Sequence, residues 1–206
     1  MVLKKASAIA SNPNTAPAVR GLQEWLTLLD SQDTDERRLA ARALGEYSVA
    51  TPALLNALAR EKSIRVKGAI LVSLQCIGGH RVLEGLLPFL RSENAALRNG
   101  VIEILQGMPE EIGEYIKDLL HDHDSDVRIF AIDILQTLAH PDSPNWLIDV
   151  ILHDKHINVV ATAIDRLTEI GTPEMLPAIS AVKARFPGEP YIEFVVNLAV
   201  KRLTEE

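Results

Sequence analysis

Four histidines fall in two turns of the chain, His121 and His123 in the first and His153 and His156 in the second. Asp122, Asp124 and Asp154 stand beside them. Imidazoles and carboxylates brought to close range can bind zinc or nickel. Turn positions, however, accept any polar residue, and no His-x-x-x-His pair places two imidazoles on one helix face. The expectation is therefore solvated turns, with no metal and no cofactor. The single cysteine, Cys76, excludes a disulfide framework and a thiolate metal site, and its place near a helix end reads as a small core residue. Gly-x-Ser-x-Gly, a phosphate-cradling loop and a dinucleotide fingerprint are all missing, which leaves no catalytic constellation.

These groups must be positioned by a scaffold, and composition limits its kind. The chain has 206 residues, of which 47% are hydrophobic, 24% charged and 4% aromatic, so a packed core of Leu, Ile, Val and Ala is available. No run approaches the roughly 18 apolar residues of a membrane span. Residues 1–16 read as a flexible leader without a signal-peptide core, and 17–206 as one domain. Cysteine usage fits the cytoplasm. The net charge is −7, unevenly spread: residues 1–100 carry 13 Lys+Arg against 9 Asp+Glu, and residues 101–206 carry 8 against 19. That balance disfavours nucleic acid and anionic membranes as partners.

The chain repeats. Arg37, Ala40 and Leu44 recur as Lys67, Ile70 and Leu74, as Arg98, Val101 and Leu105, as Arg128, Ala131 and Leu135, and as Val160, Ala163 and Leu167, with a weaker copy at Glu193, Val196 and Val200. Taking the first residue of each set as an anchor, the anchors lie 30 to 33 residues apart. Each unit carries two helical apolar stripes with Asp, Ser and Asn between them, and Pro or Gly separates one unit from the next. Pro52, Pro109 and Pro173 suit a first helical turn. The pattern predicts about twelve helices in six pairs. A lone pair cannot bury its apolar faces, so the pairs must stack into a solenoid. Small residues at 40, 68, 100, 131 and 163 are expected to permit close helix approach.

Two segments carry a family resemblance: Leu119-Leu120-His121-Asp122-His123-Asp124-Ser125-Asp126-Val127-Arg128, similar to a turn between helices A and B, and Gly171-Thr172-Pro173-Glu174-Met175-Leu176-Pro177-Ala178-Ile179, similar to an inter-repeat join. They resemble HEAT repeats of the short class found in phycobilisome lyases. The resemblance implies an all-α, right-handed α-solenoid of five clear helical-hairpin repeats plus a divergent sixth. It also implies that the anchor Arg braces a turn Asp (Asp30, Asp122 or Asp154) of its own or an adjoining repeat, and that the B helices line the concave face. The family includes a di-iron hydroxylase with His-Glu motifs, but no His-Glu dipeptide occurs in this sequence, so that activity does not carry over.

Given a B-helix concave face, positions one, five and eight after each anchor lie opposite the buried positions three, four and seven. The candidate partner-binding residues are Arg38, Arg42, Asn99, Glu103, Gln106, Asp133, Gln136, Asp165, Phe194 and Leu198. Glu103, Asp133 and Asp165 would form an acidic ladder with steps of about 10 Å, a helix-packing distance. Arg38 and Arg42 open the groove with the opposite charge, and Phe194 and Leu198 close it with an apolar pair. An acidic middle is wrong for phosphate, and Trp25 and Trp146 fall on A helices rather than among basic residues. The expected function is a non-catalytic adaptor or scaffold holding a partner protein that has a basic and an apolar portion. The alternative is an accessory subunit of a cofactor-attaching enzyme of the phycobilin lyase kind.

Overall fold

The computed structural model describes residues 20–138 and 140–205, so the expected leader at 1–16 lies outside the described residues. Among them, thirteen α-helices form six helical pairs and no strand occurs. The first three pairs are α1 (Leu22–Leu28) with α2 (Thr34–Leu44), α3 (Thr51–Arg60) with α4 (Ile64–Ile77), and α5 (His80–Leu86) with α6 (Ala95–Gln106). The fourth joins α7 (Pro109–Ile112) and α8 (Ile116–Leu120) to α9 (Ser125–Leu135). The last two are α10 (Ser143–His153) with α11 (Ile157–Ile170), and α12 (Leu176–Arg185) with α13 (Pro190–Glu205). The one count that differs from expectation is the split first helix of unit four. Around Gly113 the chain tightens, the Tyr115 amide bonding to the Ile112 carbonyl three residues back.

Local sequence explains the starts. Asp33, Asn94 and Asp124 each stand four residues before an anchor, and each caps its B helix by accepting a backbone amide in the first turn. Pro52 and Pro109 occupy first turns of helices, and Pro173 opens a 3₁₀ turn leading into α12. Gly78 and Gly79 join units two and three with φ of 60° and 81° and extended ψ, a region closed to residues with a Cβ.

The B helices form one layer in chain order, with α2 on α4, then α6, α9, α11 and α13. Behind them the A helices form a second layer, α3 touching α5 and α10 touching α12. Between the layers runs one aliphatic core. Anchor positions plus three, four and seven are buried at Ala40, Ala41 and Leu44, at Val101, Ile102 and Leu105, at Ala131, Ile132 and Leu135, and at Ala163, Ile164 and Leu167. The sixth unit departs: Val196 is buried, but Asn197 is exposed and accepts a hydrogen bond from Lys183 at 2.7 Å.

Small residues do permit close approach, with one correction. Ala40, Ala131 and Ala163 are fully buried, and a Cβ at Gly100 would meet Leu71 at 2.9 Å. Gly68 is exposed, with nothing within 4 Å of where its Cβ would stand, because it faces out of the B layer. A closer approach is at Gly85, where an added Cβ would lie 2.1 Å from a Leu55 methyl.

Candidate functional site

Two features stand out, a ladder of charged side chains along the turns and a stripe on the outer side of the B helices. The ladder is built from long cations that reach between units. Arg37 pairs in two-pronged fashion with Glu61 of the next unit, at 2.8 and 3.2 Å, and donates to the carbonyls of Ser31 and Gln32 in its own turn. Arg128 does the same with Asp154, at 2.6 and 3.1 Å, and with the carbonyls of Asp122 and His123.

The expected partners are thus only partly correct. Asp154 is braced by an anchor Arg, but Asp30 pairs with Arg60 and Asp122 with Arg91. Arg98 donates to the Ser92 carbonyl of its own turn, its guanidinium lies 5.5 Å from the Phe130 ring centroid, and its buried Nε has no hydrogen-bond partner. Both Arg60 and Arg91 stand seven residues before an anchor, a repeat-locked position that could have pointed to them.

Electrostatics follow this geometry. The Arg37 guanidinium, against the cost of burial and aided by the amides of Ser63 and Lys62, holds the Glu61 carboxyl down to about 2 from its usual 4.5. Burial works against ionised Asp122, yet the Asp124 amide and Arg91 keep its carboxyl below the usual range. A carboxyl depressed in the folded state stabilises the fold in full above its unfolded pKa and ceases to do so as pH falls through the folded one. Stability should therefore decline as pH drops from about 4.5 toward 2. In Glu61→Gln, urea unfolding across that window should show a shallower pH slope, and a parallel slope would remove Glu61 from the ladder.

The outer stripe holds the candidate binding residues. Arg42, Asn99, Glu103, Gln136, Asp165, Phe194 and Leu198 are exposed, and Arg38 is half-buried with Asp35 at 3.7 Å. Gln106 turns partly inward and donates to the Asp133 carbonyl at 2.9 Å, fastening α6 to α9 rather than facing solvent. Asp133 is also partly buried. Burial lifts its carboxyl above the usual range, and Arg166 of α11 opposes that shift. Arg166 is buried, pairs with Glu169, and was missed because its position is apolar or small in the other units. The acidic ladder therefore has two free rungs, Glu103 and Asp165, and a middle one that faces a cation. In unit five the stripe narrows, with Ala161 and Thr168 buried.

Cys76 is exposed, which corrects its assignment to the core. It follows Gly68 and Val72 at spacings of four and so continues the outer stripe of α4. At the far end, Tyr191 joins Phe194 and Leu198 at spacings of three and four, and the three are 51%, 62% and 41% exposed. That spacing was visible in the sequence.

The sequence pattern of HEAT repeats matches residues 22–106 and 114–185, three quarters of the chain.

The chain belongs to the HEAT-repeat family.

Among curated relatives it is similar to the bilin biosynthesis protein PecE of Mastigocladus laminosus, 30% identical over 152 residues, covering 71% of this chain and 56% of that protein. The PecE of Nostoc sp. (strain PCC 7120) is 41% identical over 71 residues, 34% of this chain and 28% of the relative. The chain spans little more than half the length of these relatives, at most. Solved structures with similar helix arrangements include an archaeal HEAT-like repeats protein from Thermococcus onnurineus NA1, at 18% identity and TM-score 0.49, covering 89% and 87% of the two chains. Another is the CpcE–CpcF complex of phycocyanin lyase from Nostoc sp. PCC7120, at 18% identity and TM-score 0.40, covering 96% and 100%.

Stacking of the HEAT repeats separates the four histidines. His123 faces Asp122 at 3.2 Å, and that carboxylate is already held by Arg91. The His156 amide bonds Asp154, itself held by Arg128. Only His121 and His153 converge, and they do so on Asp149 rather than on Asp122, Asp124 or Asp154. Among the described residues, no helix is long and apolar enough to cross a membrane.

Proposed function

We propose that the outer stripe of the B helices is the concave docking groove of a non-catalytic adaptor or scaffold. Its partner would be a protein segment with a basic and an apolar portion, bound in the cytoplasm. The carrying observation is the order of exposed side chains along the B layer, broken at α9 where Asp133 is partly buried: Arg42, Val72, Glu103, Asp165, then Phe194 and Leu198. Glu103 and Asp165 make no ion pair with another described residue, so their charge remains available to a ligand. Recognition would rest on charge complementarity for register and on apolar contact for affinity.

The test is affinity capture from native lysate, the wild type beside the folded double variant Glu103→Lys/Asp165→Lys. Asp133 is left alone, because a lysine there would face Arg166. A partner held by wild type and lost from the variant supports the groove. A partner held equally by both moves the site elsewhere on the stack.

A second reading rests on the 30% identity to PecE over 152 residues: this chain would be an accessory subunit of a bilin-attaching enzyme. Copurification of a tetrapyrrole absorbance, or of a second HEAT-repeat subunit, would favour it over the adaptor.

A further inference from the structure

We propose that residues 1–19 of this chain occupy the first half of the groove, with Ile9 against Val72 of α4 and the ammonium groups of Lys4 and Lys5 at Glu103 of α6. This occupant presupposes that the outer stripe is a docking groove, and so rests on that reading; an outside partner must displace it. Residues 1–19 lie outside the described residues; their sequence, their length and the surface within their reach carry the assignment.

Gly68, Val72 and Cys76 follow at spacings of four along α4, and all three are exposed. Val72 is 56% exposed. Nothing lies within 4 Å of where a Gly68 Cβ would stand, so a second chain segment can approach the helix closely there. On α6, the next helix of the layer, Glu103 is exposed and pairs with no other described residue. The stripe thus passes from small and apolar side chains to a free carboxylate over one helix step.

Residues 1–19 have the matching order. They carry Lys4 and Lys5 and no Asp or Glu, with Ile9 four residues after Lys5. From α1, the apolar side chain therefore comes first and the two cations after it, as Val72 comes before Glu103. Residues 10–19, which must pass Arg42, carry no charge. Fifteen residues separate Lys5 from Arg20, an extended reach of ~50 Å at about 3.3–3.6 Å per residue. Passing the two layers and two helix steps to Glu103 requires on the order of 40 Å, at about 10 Å per helix-packing distance. Asp165 lies two helices farther along, on the order of 60 Å away and out of reach. The segment therefore covers Val72 and Glu103 and leaves Asp165, Phe194 and Leu198 open. Tethering keeps it near the groove at an effective concentration on the order of millimolar, so weak contacts suffice.

The experiment is disulfide trapping in the full-length chain. Cys76, its single cysteine and exposed, reports from the groove, and Ser7→Cys places the second thiol between Lys5 and Ile9. Oxidised glutathione supplies the oxidant, and intrachain cross-linking is followed by mass spectrometry and non-reducing gel mobility. The rate should fall about fivefold in Lys4→Glu/Lys5→Glu and in Glu103→Lys, the scale of a surface ion pair, and recover when the two changes are combined. Asp165→Lys should leave it unchanged, because that residue stands far beyond the roughly 8 Å over which charges act at physiological salt. A rate indifferent to Lys4, Lys5 and Glu103, the absence of an intrachain product, or cross-links only between chains overturns the assignment. The lysate capture keeps its failure apart from that of the groove: a partner lost from Glu103→Lys/Asp165→Lys, with trapping indifferent to charge, leaves the groove standing without this occupant.

Discussion

Replacing Arg128 by alanine is expected to lower the stability of the fold by about 3 kcal/mol, because it strips the partner from a buried carboxylate. The Arg128 and Asp154 side chains are both largely shielded from water, and two hydrogen bonds join them. The same guanidinium satisfies the carbonyls of Asp122 and His123 in its own turn. Alanine would leave the Asp154 carboxylate without its cation and the part-buried Asp122 carbonyl without its donor, and each unpaired buried group costs about 1–3 kcal/mol. The damage should be local, since a repeat touches only its neighbours. Amide exchange should accelerate across residues 116–170 and remain near wild type across 34–77. Arg128→Met combined with Asp154→Leu should recover much of the loss, because no lone charge remains. Wild-type stability in Arg128→Ala would reduce the ladder to a surface decoration.

The second large effect is on binding. Phe194→Ala with Leu198→Ala should weaken the groove's partner by about 30-fold or more, the scale of an aromatic hot spot of 2 kcal/mol. Neither side chain is buried, so their removal leaves little cavity, and thermal unfolding should move by no more than a degree or two. The two effects should separate: Arg128→Ala loses stability, whereas Phe194→Ala/Leu198→Ala keeps its fold and loses its partner. If the partner is released from Glu103→Lys/Asp165→Lys but still bound by Phe194→Ala/Leu198→Ala, the apolar end is a cap and the groove is purely electrostatic. Both effects should be read at fixed ionic strength, because the charged contribution is screened by salt and the apolar one is not.

Periodicity alone carried most of the fold. The anchors, the buried positions at plus three, four and seven, the N-caps at minus four and the Pro and Gly joins are short-range features, written within one turn or one hairpin. Burial of an aliphatic stripe leaves few ways to satisfy them, so six pairs and a continuous core follow from the sequence. The break at Gly113 did not, because a 3₁₀ step and an α-helical step differ there by a single hydrogen bond.

Side-chain partnerships between units were much less legible. Asp122 pairs with Arg91 and not with the anchor Arg98, whose Nε has no hydrogen-bond partner, and the offset between stacked repeats decides that choice. A long cation spans more distance than that offset, so sequence spacing cannot choose between them. The same offset buried Ala161 and Thr168, turned Gln106 into a link between helices and set Arg166 beside Asp133. It also passed over the Asp residues next to the histidines and delivered Asp149, one helical turn before His153. What the sequence determined by itself was the repeat and its core, because apolar burial is governed by local helical period. Which charges meet, and which remain free for a ligand, was decided by the stacking of one repeat on the next, a distance and angle no single repeat contains.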